Sequence, residues 1–314
     1  MPPATNPPLR RKSARTDQEK FLIGATGLSH FIQSVKKVAL DGHRLDSGDL
    51  AAQWRAAARV YQELQTSEAG VAESIEVLPL PRVIQKHVDV LLKQKHFEHS
   101  FQSIPIAFGM VELSKLVACQ YDVTVSKVKS LRKILKKPVS DELLANICLP
   151  LANPTGDFKL AFERQGEFIF HAPTHDFRYL GARMLDPAQI KSLDIDGFPA
   201  AVVALAVGFS TNVLNVLRYG KRMVLNNGYH RVNALMAQGV THAPCVIKVC
   251  EHWEDVCMGG MSEIADNGTL YFTNARPPLL RDYMDRRLVR SFDAARLRRQ
   301  VSLKFQYDSI QLSE

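Results

Sequence analysis

The chain has 314 residues, a formal net charge of +8, 46% hydrophobic residues and 23% charged ones. This is the composition of an ordinary globular protein, and it argues against collagen-like, low-complexity or disulfide-dense classes. No apolar run approaches the roughly 20 residues needed to cross a bilayer, so no membrane partner is expected. The cysteines Cys119, Cys148, Cys245, Cys250 and Cys257 are an odd set without a CxxC pair. That excludes a disulfide framework and a standard zinc site as expectations, and makes a reducing cytoplasm the expected home.

In chain order, residues 1–16 are basic and rich in proline without the apolar centre of a secretory signal, which predicts a disordered basic tail. Residues 17–100 predict a helical module. Ala51 to Gln65 places Trp54, Ala58, Tyr61 and Leu64 on one face, Val83 to Phe97 repeats the pattern, and Pro79 and Pro81 separate the two. Ile104 to Gln120 reads as an extended segment closed by a turn. Thr124 to Leu135 predicts a helix with Val125, Val128, Leu131, Ile134 and Leu135 on its apolar side and a lysine-rich opposite face. Residues 138–200 predict an irregular insertion with a hairpin strand at Glu167 to His171. Strands follow at Ala201–Gly208, Val213–Tyr219 and Arg222–Asn226, the last two joined by a tight turn at Gly220-Lys221.

The most informative stretch begins at Leu225-Asn-Asn-Gly-Tyr-His-Arg and runs through a short helix to Gly239, then through the strand Val240 to Val249. Asn226, Asn227, Gly228, His230 and Arg231 cluster where the helix begins. Unpaired N–H groups and the positive end of the helix dipole make such a place suited to an anion, and Gly228 permits close approach. The plainer alternative is a capped turn in which Asn226 or Asn227 satisfies the helix end. Residues 251–314 predict a basic helical extension. Between Arg276 and Arg299 there are eight arginines against three aspartates, and Leu280, Met284, Leu288 and Val289 recur at helical spacing. The expected nucleic-acid contacts are Arg286, Arg287 and Arg290, against the alternative of a solvated or acid-paired face.

Other chemistry-bearing residues read more plainly. His171 and His175 are separated by a proline and belong to a loop rather than a helical zinc pair. Cys245 and Cys250 fall in an apolar strand as small buried groups. Asn212 and Asn215 either line a nucleobase pocket or serve a turn, and Trp253, Tyr271 and Phe272 either stack on a base or fill the core.

The order strand, Glu112-Leu-x-x-Leu-x-x-x-Gln turn, helix, then later strand, Asn227-Gly-Tyr-His-Arg231, helix, Gly, Pro, strand resembles the ParB/sulfiredoxin superfamily over residues 103–137 and 201–250. The resemblance implies an α+β fold, a mixed sheet with flanking helices over 101–250, interrupted by the insertion. It also implies that a nucleotide (ATP, ADP or CTP) is held by Asn227, Gly228, Tyr229, His230 and Arg231. Where sulfiredoxins carry the catalytic cysteine this chain has Tyr229, which removes that branch's nucleophile. Where partition proteins carry a doubled arginine it has His230-Arg231, with no helix-turn-helix legible after it. The free-serine-kinase branch resembles the motif most closely; there His230 and a separate carboxylate, here Glu112, are the expected catalytic pair. The superfamily also includes nucleases. Lys221 or Arg222 would add positive charge for phosphoryl transfer, while magnesium is left open because no compact acidic motif selects Asp176, Asp186 or Asp194. A DNA-associated regulatory protein and a scaffold without ligand are the alternatives.

Overall fold

A computed structural model describes residues 16–152, 158–164, 166–172, 177–191, 193, 197, 199–209, 211–260, 262–295 and 299–306. The elements in chain order begin with β1 (Thr16–Leu22), α1 (Leu28–Val38), α2 (Ser47–Ser67), β2 (Val77–Leu78), α3 (Arg82–Leu91), α4 (Lys95–Phe101), β3 (Ile106–Glu112), β4 (Asp122–Thr124), α5 (Val125–Ile134) and α6 (Asp141–Cys148). Next come β5 (Lys159–Arg164), β6 (Glu167–Ala172), β7 (Phe177–Met184), α7 (Pro187–Lys191) and β8 (Val203–Phe209). The remainder is β9 (Asn215–Tyr219), β10 (Arg222–Asn227), α8 (Tyr229–Ala237), β11 (His242–Cys250), α9 (Trp253–Gly259), α10 (Ser262–Asp266), β12 (Val289–Ala295) and β13 (Arg299–Lys304). The protein is mixed α and β, as expected. The tail before Thr16, and His175, Asp176 and Asp194, lie outside the described residues.

The chain divides into two units, one of Met1–Leu151 with Val213–Arg296 and one of Ala152–Asn212 with Leu297–Glu314. These divisions differ from the sequence reading. The segment 17–100 is not a separate module, the insertion begins after α6 rather than at 138, and the strand near 201–208 belongs to the smaller unit.

In the larger unit a five-stranded mixed sheet runs β10-β9-β11-β3-β2. The hairpin of β9 and β10 turns at Gly220, whose φ of 58° suits glycine. Helix α8 then returns the chain so that β11 lies parallel to β9, while β11 and β3 pair antiparallel from His242↔Glu112 to Lys248↔Ile106. Pro244 is tolerated in β11 because pairing with β9 starts only at Val246. A three-stranded sheet, β12-β1-β4, has β1 at its centre. The helical expectation for 17–100 therefore misses its first element. Nothing local in Thr16-Asp-Gln-Glu-Lys announces a strand; β1 is defined by antiparallel pairing with β12, more than 250 residues away (295 − 16 = 279 for Thr16↔Ala295).

Helix α2 confirms its periodicity. Asp46 caps it by accepting from the Asp49 amide at 2.8 Å, Tyr61 is buried, and the Trp54 indole donates to the Thr26 carbonyl at 2.9 Å. The single helix expected over Val83 to Phe97 is two, α3 and α4, parted at Leu92–Gln94. In α5, Val128 and Leu131 pack on the core and Leu135 is buried, but Ile134 is turned out.

The amphipathic helix expected between Arg276 and Arg299 does not form. Pro277 and Pro278 cannot continue a ladder, and the Asp282 carboxylate accepts from the Leu279 amide at 2.8 Å, closing a short 3-10 turn over Leu280–Met284. The chain then joins β1 as β12. Leu280 and Leu288 are buried while Met284 is exposed, so their helical spacing is a coincidence of two different structures.

The smaller unit has a three-stranded sheet, β13-β6-β5, and the ribbon of β7 and β8. Phe170, Phe177 and Phe209 gather there, with Phe177 fully buried. The expected hairpin strand at 167–171 is β6, paired on one side by the C-terminal β13.

Candidate functional site

Gly228 starts α8 at φ 116°, a conformation that L side chains rarely adopt. A Cβ there would lie 2.2 Å from Leu214 Cδ1 and 3.4 Å from the Arg231 guanidinium nitrogens Nε and Nη2. The side of the turn that glycine leaves open is thus filled by the protein itself. Arg231 is buried and donates to the Ile147 carbonyl at 3.3 Å, in the last turn of α6. Tyr229 is buried too. Its hydroxyl donates to the Leu225 carbonyl at 2.8 Å and accepts from the Cys119 and Gln120 amides at 2.8 and 3.2 Å. The expectation that Tyr229 and Arg231 touch a ligand is corrected on this geometry: both fasten α8 to neighbouring segments.

His230 faces the other way. Its Nε2 accepts from the Thr124 amide at 3.1 Å, so Nδ1 carries the ring proton in this arrangement. Thr124 is the N-cap of α5, so this bond joins the starts of two helices. Asn227, half-buried, ends β10 beside them, and Asn226 Oδ1 is buried without a hydrogen-bond partner although its amide nitrogen donates to Asn215 Oδ1 at 2.8 Å. The start of α5 already holds an internal anion: the Asp17 carboxylate accepts from the Ser126 amide at 3.2 Å and from its hydroxyl.

The carboxylate beside His230 is not Glu112. Glu112 accepts from the Ser114 hydroxyl at 2.9 Å and the Glu76 amide at 3.2 Å, and pairs with Lys115 at 3.0 Å. Burial alone would raise its carboxyl, but these donors outweigh burial and hold it below its usual value. The Leu113 amide donates to the Thr241 carbonyl at 2.9 Å, so Glu112 lies where the chain leaves α8, the opposite end from His230. A nine-residue helix separates the two by on the order of 13 Å.

Glu19 takes that place. On β1 it pairs in register with Thr124, whose hydroxyl donates to Glu19 Oε1 at 2.7 Å. Burial pushes the Glu19 carboxyl up to about 7, with Asp122 and Asp17 adding to the rise and the Thr124 bond and Lys127 opposing it. Burial raises Asp122 as well. The sequence reading missed Glu19 because it missed β1, whose polar start has no apolar alternation to mark it as a strand. Because the folded state holds this proton more tightly than the unfolded chain, Glu19 makes stability fall as pH rises from about 4.5 through 7. Glu19→Gln is expected to flatten the urea-unfolding profile between pH 5 and 8 by about 1–2 kcal/mol, a value discounted for solvent screening. A profile unchanged from wild type would contradict a protonated Glu19.

The remaining expected residues serve the fold. Arg222 pairs with Glu73 at 2.8 Å and Lys221 is exposed in the hairpin turn. Asn215 is buried and donates to the Val213 carbonyl, and Tyr219, Trp253 and Phe272 meet edge to face with centroids 5.4–5.9 Å apart. Tyr271 is core, its hydroxyl 2.8 Å from that of Tyr121. His171 bonds Gln300 at 3.0 Å, and Asp186 accepts from the Gln189 amide at 2.9 Å. Cys245 and Cys250 are buried, and burial raises both thiols. Arg287 pairs with Asp285 at 2.7 Å, Arg290 donates to the Arg286 and Val289 carbonyls, and Arg286 is exposed. Among the described residues no group of three or more His, Cys, Asp or Glu is placed to hold a metal ion, and no helix is long and apolar enough to cross a membrane. Comparison with protein-family models, curated proteins and solved structures finds no match to this chain.

Proposed function

We propose that the larger unit binds a phosphorylated small molecule, with nucleotides the first class to test, where the starts of α5 and α8 meet. The observation that carries this reading is the 3.1 Å bond from the Thr124 amide to His230 Nε2, which brings two positive helix ends together beside Lys127 and a carboxyl poised near 7. A ParB/sulfiredoxin-like fold is part of the same proposal. It is supported by the strand–Gly228–α8–strand unit and by α5 packing against α8. His230 and Asn227 supply donors at the mouth and Lys127 the α5 side, Thr124 ties α5 to His230 and Glu19, and Arg231 and Tyr229 hold α8 in place. No step is assigned to magnesium.

Glu19 gives the binding a pH dependence. An anion nearby favours the protonated carboxyl, so affinity falls as pH rises above 7, where nucleotide phosphates are already ionised. A carboxyl poised there is also suited to exchange a proton with a reacting hydroxyl, the role the sequence reading gave to Glu112. Titration calorimetry with ATP, ADP and CTP tests the site. Lys127→Gln and His230→Ala are each expected to weaken binding by about tenfold, the loss of one charge-assisted hydrogen bond. Full affinity in both variants would move the ligand elsewhere.

A further inference from the structure

The structure assigns a second surface to this protein: we propose that the outer face of α5 and the turn after it bind the phosphate backbone of a nucleic acid. Between Asp122 and Asp141 the chain carries six basic residues and no acid. One of them, Lys127, faces Glu19. The other five, Lys129, Arg132, Lys133, Lys136 and Lys137, are exposed, and none of them is in an ion pair among the described residues.

Their spacing makes a ridge rather than a scatter. Lys129, Arg132 and Lys133 stand at i, i+3 and i+4 on one helix face, and Lys136 and Lys137 extend the line beyond the helix end. Such a stripe is not explained by folding. The dipole at the end of α5 favours the two cations of its last turn, but Lys129 and Lys133 are a like-charge i, i+4 pair that opposes helix formation. The ridge continues into a groove of about 710 Å³ lined by Lys137, Gln238, Thr241 and His242, among others, which adds hydrogen-bond donors at its end.

A row of fixed cations matches a linear polyanion. Along one DNA strand the phosphates advance about 3.4 Å each, so the ridge is long enough for about three of them. A membrane surface fits less well, because a surface-lying helix needs a free apolar face and the apolar residues Val128, Leu131 and Leu135 are packed into the core. The C-terminal arginines are the weaker candidate, since Arg276, Arg281 and Arg287 are paired with Asp282, Glu68 and Asp285. This surface does not depend on the ligand site.

The test is fluorescence anisotropy of the full chain with random-sequence single- and double-stranded DNA across a salt series, with vesicles containing phosphatidylserine as a second probe. Replacing Lys129, Arg132, Lys133 and Lys136 by glutamine is expected to weaken DNA binding at least tenfold at low salt. It is also expected to reduce the slope of log affinity against log salt by about 2.7, which is 0.9 for each of three lost phosphates. Because all four residues are exposed, the melting temperature is expected to hold; Lys129→Gln with Lys133→Gln is the milder variant if it does not. An unaltered salt-dependent curve, an equal loss from Arg286→Gln with Arg287→Gln, or binding to vesicles but not to DNA would each overturn the assignment.

Discussion

Arg276→Met is expected to lower the stability of the larger unit by about 3–5 kcal/mol, the usual cost of leaving one partner of a buried ion pair behind. Arg276 and Asp282 are each about 2% exposed. The guanidinium makes two parallel bonds to the Asp282 carboxylate, at 2.5 and 2.6 Å, and two more to Glu68 Oε2 at 3.1 and 3.0 Å. Asp282 also accepts from the Tyr61 hydroxyl on α2 at 3.0 Å. Without Arg276 its charge has no counterion in the interior. Urea unfolding at pH 7 measures the loss. A loss below about 1 kcal/mol at pH 7 would mean that Asp282 finds another donor.

Gly228→Ala is expected to cost about 2–4 kcal/mol. A φ of 116° is strained for alanine by about 1–3 kcal/mol, and the added methyl group meets Leu214, which is fully buried and has little room to move. The two contributions can be separated. In a Leu214→Ala background the contact is relieved and the backbone strain is not, so the cost of Gly228→Ala should fall without vanishing. The same substitution shifts the first turn of α8 and with it His230, and is expected to weaken any ligand held there. A cost equal in both backgrounds would show that the contact with Leu214 contributes nothing.

How much of this was legible in the sequence follows from how local each signal is. The unit of β10, Gly228, α8 and β11 was readable because turn chemistry, helix start and apolar alternation all fall within the 29 residues 222–250. Helices α2 and α5 were readable from their apolar faces. Strand β1 was not, because a polar stretch becomes a central strand only through partners far along the chain, and the loss of β1 concealed Glu19. The region after Arg276 misled because its arginines suggested an outer helical face. Asp282, which gives one arginine a buried role and closes the turn, carries no mark in sequence that distinguishes it from a surface acid. The site residues divided similarly: the identity of the motif was legible, but the inward direction of Tyr229 and Arg231 depends on the 119–124 segment and on α6.

The most direct measurement of ligand binding at the meeting of α5 and α8 is a thermal-shift series of the whole chain against ATP, ADP, CTP, GTP and inorganic phosphate at pH 6.5 and pH 8, with and without magnesium. A ligand at 100 times its dissociation constant stabilises the folded state by about 2.7 kcal/mol, enough for a shift of several degrees. The expected result is a shift with at least one nucleotide that is larger at pH 6.5 than at pH 8 and is lost in His230→Ala. No shift with any of these ligands at either pH would contradict the proposed site and leave His230 and Thr124 as a structural joint between two helices.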